Sequence, residues 1–66
     1  MGEDEMTEGY SDGFDLSNPD PNENRSHSYR HGFAVGRADR ARQPAFGNAA
    51  NARRMADEAI RKDDAQ

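Results

Sequence analysis

The side chains of this chain that could do chemistry are four serines (Ser11, Ser17, Ser26, Ser28), two histidines (His27, His31), thirteen carboxylates and eight arginines. A serine nucleophile needs a base within reach and a third group to orient that base. His27 and His31 stand beside Ser26 and Ser28 in sequence, and neighbours on one helical turn do not assemble such a triad. No cysteine is present, which removes thiol nucleophiles, disulfides and zinc–thiolate centres. A phosphate-cradling loop ends in lysine followed by serine or threonine, and the single lysine, Lys62, has no such setting. The carboxylates lack the apolar surroundings that would lift a pKa for acid–base work. We expect no enzyme and no cofactor.

Metal binding fares little better. His27 and His31, four apart, would share a helix face, but two ligands fall short of a tetrahedral site. Asn18, Asp20 and Asn22 superficially suggest a calcium loop. Its sixth position is Glu23 where glycine is needed, and its twelfth is Tyr29 where glutamate is needed. No metal is expected.

The arginines are the productive group. Residues 1–24 carry eight acids and no base, whereas residues 25–62 carry all nine bases against Asp39, Asp57 and Glu58. An acidic arm is thus joined to a basic body, within a net charge of -4. Arginine makes bidentate contacts to phosphate and stacks on bases, which lysine does poorly. Arg30, Arg37, Arg40, Arg42, Arg53 and Arg54 are the candidate partner-binding residues, and a phosphate-rich polymer is the partner they suit. The acidic arm could instead engage a basic protein target.

Positioning these residues falls to a few short helices. With 66 residues, a mean hydropathy of -1.29 and ten alanines among its apolar residues, the chain has little surface to bury. Residues 1–8 are expected to be a disordered acidic arm. Residues 9–43 are expected to form a helical hairpin. Tyr10 and Phe14, with Met6, mark the apolar edge of its first helix, and Tyr29, Phe33, Gly36 and Arg40 form one stripe of its second. Pro19 and Pro21 mark a turn-rich loop over 17–24. Asn24 or Ser26 can cap the second helix, and Pro44 should end it near Gln43. Residues 44–62 are read as a connector anchored by Phe46 and a C-terminal helix, Ala49 to about Lys62, capped by Asn48 or Asn51. Its stripe, Ala52, Met55, Ala56, Ala59 and Ile60, is amphipathic, and Met55 and Ile60 are its largest members. That stripe could serve a homodimer. Residues 63–66 are expected to be a disordered tail. The fold class is all-α.

One internal echo stands out. Gly9-Tyr10-Ser11-Asp12-Gly13 and Gly32-Phe33-Ala34-Val35-Gly36 both read glycine, aromatic, two residues, glycine. Glycines four apart make a shallow helical groove that a neighbouring helix can enter closely, and the pairing suggests a tight antiparallel hairpin. With Asn18-Pro19 between them, and Tyr29-Arg30-His31 ahead of Gly32, these segments resemble the ribosome modulation factor family of small bacterial proteins over about residues 8–37. Tryptophans frequent in that family's second helix are Tyr29 and Phe33 here. The resemblance implies a helix–loop–helix protein that binds ribosomal RNA and protein and helps hold ribosomes inactive. The expectation is therefore a cytoplasmic, bacterial, non-enzymatic ribosome-associated translation modulator. The alternative is a protein-binding regulator, such as an antiactivator or phage-type inhibitor, that uses the acidic arm. No stretch is apolar enough to span a membrane, and the acidic start is unlike a secretory signal.

Overall fold

The computed structural model describes residues 2–43, 47 and 49–65. Among them the chain is all-helical: α1 (Gly2–Phe14), α2 (His27–Arg40) and α3 (Ala49–Asp64). Phe46, Pro44 and Asn48, assigned above to the connector and caps, lie outside the described residues.

The first correction concerns the acidic arm. Residues 2–8 are the first two turns of α1, not a disordered lead-in. Glu3, Asp4 and Glu5 occupy the first turn, where carboxylates favour the positive end of the helix dipole. Gly2 lies against Ser28 and Ile60, so packing holds a segment whose low apolar content argued for disorder.

The glycines explain the pairing of α1 with α2. A Cβ added at Gly9 or Gly13 would run into the carbonyl oxygen of Tyr29 or Phe33, respectively. One at Gly32 or Gly36 would run into the carbonyl oxygen of Met6 or Tyr10. Each helix thus inserts backbone into the other's glycine groove, the close approach that small residues four apart permit. Paired numbers rise together along both helices, so α1 and α2 run parallel. The expected antiparallel hairpin is therefore corrected. Short loops favour antiparallel neighbours, but residues 15–26 form a twelve-residue connection. At up to ~3.3–3.6 Å per residue, it readily returns along a helix of about 20 Å. Asp15 holds this turn by accepting from the Ser17 N–H and hydroxyl at 3.0 and 2.8 Å. Asn18 ties it to α1 by donating to the Asp12 carbonyl at 3.0 Å. Pro19 lies in its exposed, irregular stretch.

α2 begins at the Ser26 cap, whose side chain accepts from the Tyr29 N–H at 3.0 Å. It ends three residues before Gln43, in a closing turn built by Arg42 N–H to Asp39 O at 3.0 Å and Gln43 N–H to Ala38 O at 2.9 Å. Arg42 holds the left-handed conformation (φ 59°) that this motif requires and that glycine usually fills. Tyr29 and Phe33 are buried, at 6% and 4% exposure, and Gly9, Gly13, Gly32 and Gly36 are buried with them.

α3 runs antiparallel to α2. Its end meets the start of α2, where both carboxylate oxygens of Asp63 accept, from the His27 and Ser28 N–H groups, each at 2.8 Å. Asp63 and Asp64 therefore belong to the helix and not to a disordered tail. Ala59 is buried, and Ala52, Met55, Ala56 and Ile60 are half-buried. The stripe read as a dimer face is used in part within the chain, against α2. Asn51 stands inside α3 and accepts from Arg54 at 2.7 Å, so it is not the cap.

Candidate functional site

Parallel α1 and α2 place both N-termini at one end of the molecule and both C-termini at the other. The acids Glu3, Asp4 and Glu5 gather at the first end, joined there by Asp63 from α3. Glu5, Glu23 and Asp63 line a polar cleft there with Arg25 and Arg30. The opposite end receives Arg37 and Arg40 from the last turn of α2, then Arg42. Antiparallel packing brings the start of α3, with Arg53 and Arg54, toward the same end. Of the six candidate arginines, five thus share one end and Arg30 does not.

Each arginine is held differently. Arg37 donates to the Asn18 carbonyl at 2.6 Å and lies 5.0 Å from the Phe33 ring centre. Arg40 lies 5.5 Å from the centre of the Phe14 ring. These are cation–π distances, and they leave guanidinium edges toward solvent on Arg40, an exposed residue. Arg42, Arg53 and Arg54 are exposed. Arg30 contacts His27 Nδ1 through Nη2 at 3.0 Å. Ion pairs among the described residues are Arg25–Glu8 at 3.5 Å and Lys62–Glu58 at 3.2 Å, both exposed. None of the six candidates is in one.

Beside Arg40, α1 presents aromatic surface. Tyr10 and Phe14 stack with ring centres 6.1 Å apart and stay 38% and 40% exposed, and Leu16 follows at 58%. These residues line an open hollow with Ser11, Asp15 and Arg40. The aromatic after each first glycine thus has two fates: Phe33 is core, whereas Tyr10 faces out.

Two phenols cross between the helices. Tyr10 donates to Asp39 at 2.6 Å and Tyr29 to Asp12 at 2.5 Å. In each case the hydrogen bond to the carboxylate, helped by burial and by the carboxylate's charge, raises the phenol's pKa above its ordinary value. Arg25 covers the Tyr29 ring at 3.6 Å. Asp12, Asp39 and Asp63 were missed as structural acceptors, because their partners lie 17 to 36 residues away and no local spacing announces them.

His31 is buried, and its burial lowers its pKa. Among the described residues, no group of three or more potential ligands could hold a metal ion. No helix among them is long and apolar enough to cross a membrane.

Compared with known protein families, curated proteins and solved structures, the chain matches none.

Proposed function

We propose that this chain is a small, non-enzymatic, ribosome-associated modulator of translation that presents its arginine end to ribosomal RNA. One observation carries the reading: Arg37, Arg40 and Arg42 converge at the C-terminal end of α2, outside any ion pair among the described residues, beside the exposed Tyr10–Phe14 stack. Guanidinium groups not engaged by a carboxylate supply phosphate contacts, and an aromatic pair with an arginine above it offers a surface for unstacked bases. The resemblance to the ribosome modulation factor family points the same way, since its glycines are those that lock α1 to α2.

Sucrose-gradient sedimentation of a stationary-phase lysate tests this directly. The protein should travel with ribosomal fractions at low salt and be released as salt rises. With about three phosphate contacts, affinity should fall by roughly 0.7–0.9 log units per contact per decade of salt. Absence from ribosomal fractions at every salt concentration rejects the proposal.

A second reading, a regulator that docks on a basic protein, is favoured by the exposed Glu3, Asp4, Glu5 and Glu8 held on one rigid helix. Charge reversal of Arg37, Arg40 and Arg42 separates the two. It abolishes binding under the first reading and spares it under the second.

A further inference from the structure

α1 and α3 each pack on α2, meet where Gly2 touches Ile60, and diverge toward the other end. Between them runs an open groove of about 520 Å³. Met6, Thr7 and Tyr10 form one wall, Ala52, Arg53 and Ala56 the other, and His31, Gly32 and Val35 the floor. The Tyr10 wall is fixed by its hydrogen bond to Asp39. Arg53 is exposed at the lip and has no hydrogen-bond or ion-pair partner among the described residues.

We propose that this groove docks an amphipathic helix of another protein, seated by apolar side chains against Met6, Val35, Ala52 and Ala56 and by a carboxylate on Arg53. A trough between two splayed helices, floored by a third, is the shape that accepts the apolar stripe of a further helix. The occupant's chemistry follows from the lining. Apolar walls with a single cation suit neither a polyphosphate strand, which needs several, nor a basic peptide, which Arg53 repels. A second copy of this chain is disfavoured by charge as well. Its large exposed apolar side chains among the described residues are Tyr10, Phe14 and Leu16, with Arg40 among them, so docking them here would set arginine against arginine. An amphipathic helix with its acidic edge on the α3 side fits the apolar lining and Arg53. This inference goes beyond the RNA-directed reading, because the groove lies between α1 and α3 and its probe carries no phosphate.

The test uses the full chain with methyl labels and a hydrocarbon-stapled helical peptide bearing leucines one turn apart and a glutamate on the flank facing Arg53. Binding should shift the methyl signals of Met6, Val35, Ala52 and Ala56. Ala56→Arg, with helicity checked by circular dichroism, should weaken binding about tenfold. Changing the peptide glutamate to lysine should weaken it about fivefold, and Arg53→Glu should restore the lysine peptide. Failure of the peptide to shift these methyls at saturating concentration overturns the proposal, as does unchanged affinity in a folded Ala56→Arg chain. Shifts of the same methyls on concentrating the protein alone would assign the groove to self-association instead. Shifts on adding an RNA oligonucleotide would assign it to nucleic acid, and either result also overturns the proposal. Loss of ribosome co-sedimentation with retained peptide binding would sink only the RNA reading.

Discussion

The N-terminus of α2 is closed from two sides. Ser26 supplies one acceptor locally, while the His27 and Ser28 N–H groups are satisfied by Asp63, 36 and 35 residues away in sequence. Burial pushes the Asp63 pKa up, but the hydrogen bonds it accepts from the Ser28 and His27 N–H groups, with the nearby His27, outweigh it, and the pKa is lowered. A lowered carboxylate pKa contributes stability that is present above the unfolded value, about 3.9, and is lost as pH falls through the folded one. His31 acts in the same direction at higher pH. Its pKa is lowered by burial, so the unfolded chain takes up the proton first, and stability begins to fall as pH drops past about 6.5. Urea unfolding at pH 7.5, 5 and 3 should therefore show two successive losses. Asp63→Asn should cost about 1–2 kcal/mol at neutral pH, as caps do, and should flatten the second loss while leaving the first.

At the level of elements, the contact of α1 with α2 is decided by four absent side chains. A Cβ at Gly9, Gly13, Gly32 or Gly36 would meet a backbone carbonyl at a separation real Cβ atoms essentially never show. Backbone cannot swing aside as a long side chain can, so the helices must separate. Alanine gains up to about 1 kcal/mol in helix propensity over glycine, and that gain would hide a loose interface. Here overpacking, typically 1–3 kcal/mol or more, should win. Gly36→Ala and Gly9→Ala are each expected to lower the urea midpoint by at least the equivalent of about 1 kcal/mol. A glycine-to-alanine change that raises the midpoint would refute the interlocked pairing.

The first-turn acids of α1 and the last-turn arginines of α2 stand at opposite ends of the helix pair, and parallel pairing is the cause. Two aligned helix dipoles sum, so acids at the shared N-terminal end and arginines at the C-terminal end are each favoured. Glu8 pairs with Arg25, but the acidic segment does not lie over Arg37, Arg40 or Arg42. Held in α1, it stands about 20 Å from them, some two Debye lengths at 0.1 M salt. Changing Glu3, Asp4 and Glu5 together to glutamine should raise RNA affinity several-fold at about 10 mM salt, where the Debye length is ~30 Å, and by less than about twofold at physiological salt. Fluorescence anisotropy with a labelled RNA measures both. Deleting residues 1–8 is not equivalent, because it removes Met6, whose carbonyl fills the groove at Gly32.

The all-helical class, the Pro-marked loop, the glycine grooves and the α3 stripe could all be read from local spacing, because each is a periodicity of 3.6 or a restriction on φ within a few residues. The arginine-rich half was equally plain from charge. Direction was not. A glycine every fourth residue looks the same to a partner running either way; the 15–26 connection is long enough to permit parallel, and the pairing of carbonyls with glycine grooves in three dimensions fixes it. That choice moved the acidic residues from a free arm to a fixed end and left Tyr10 and Phe14 facing solvent. The Asp63 cap and the groove beside Val35 are likewise products of helices meeting. They join residues far apart in sequence, and only burial and backbone hydrogen bonding in three dimensions bring such residues together.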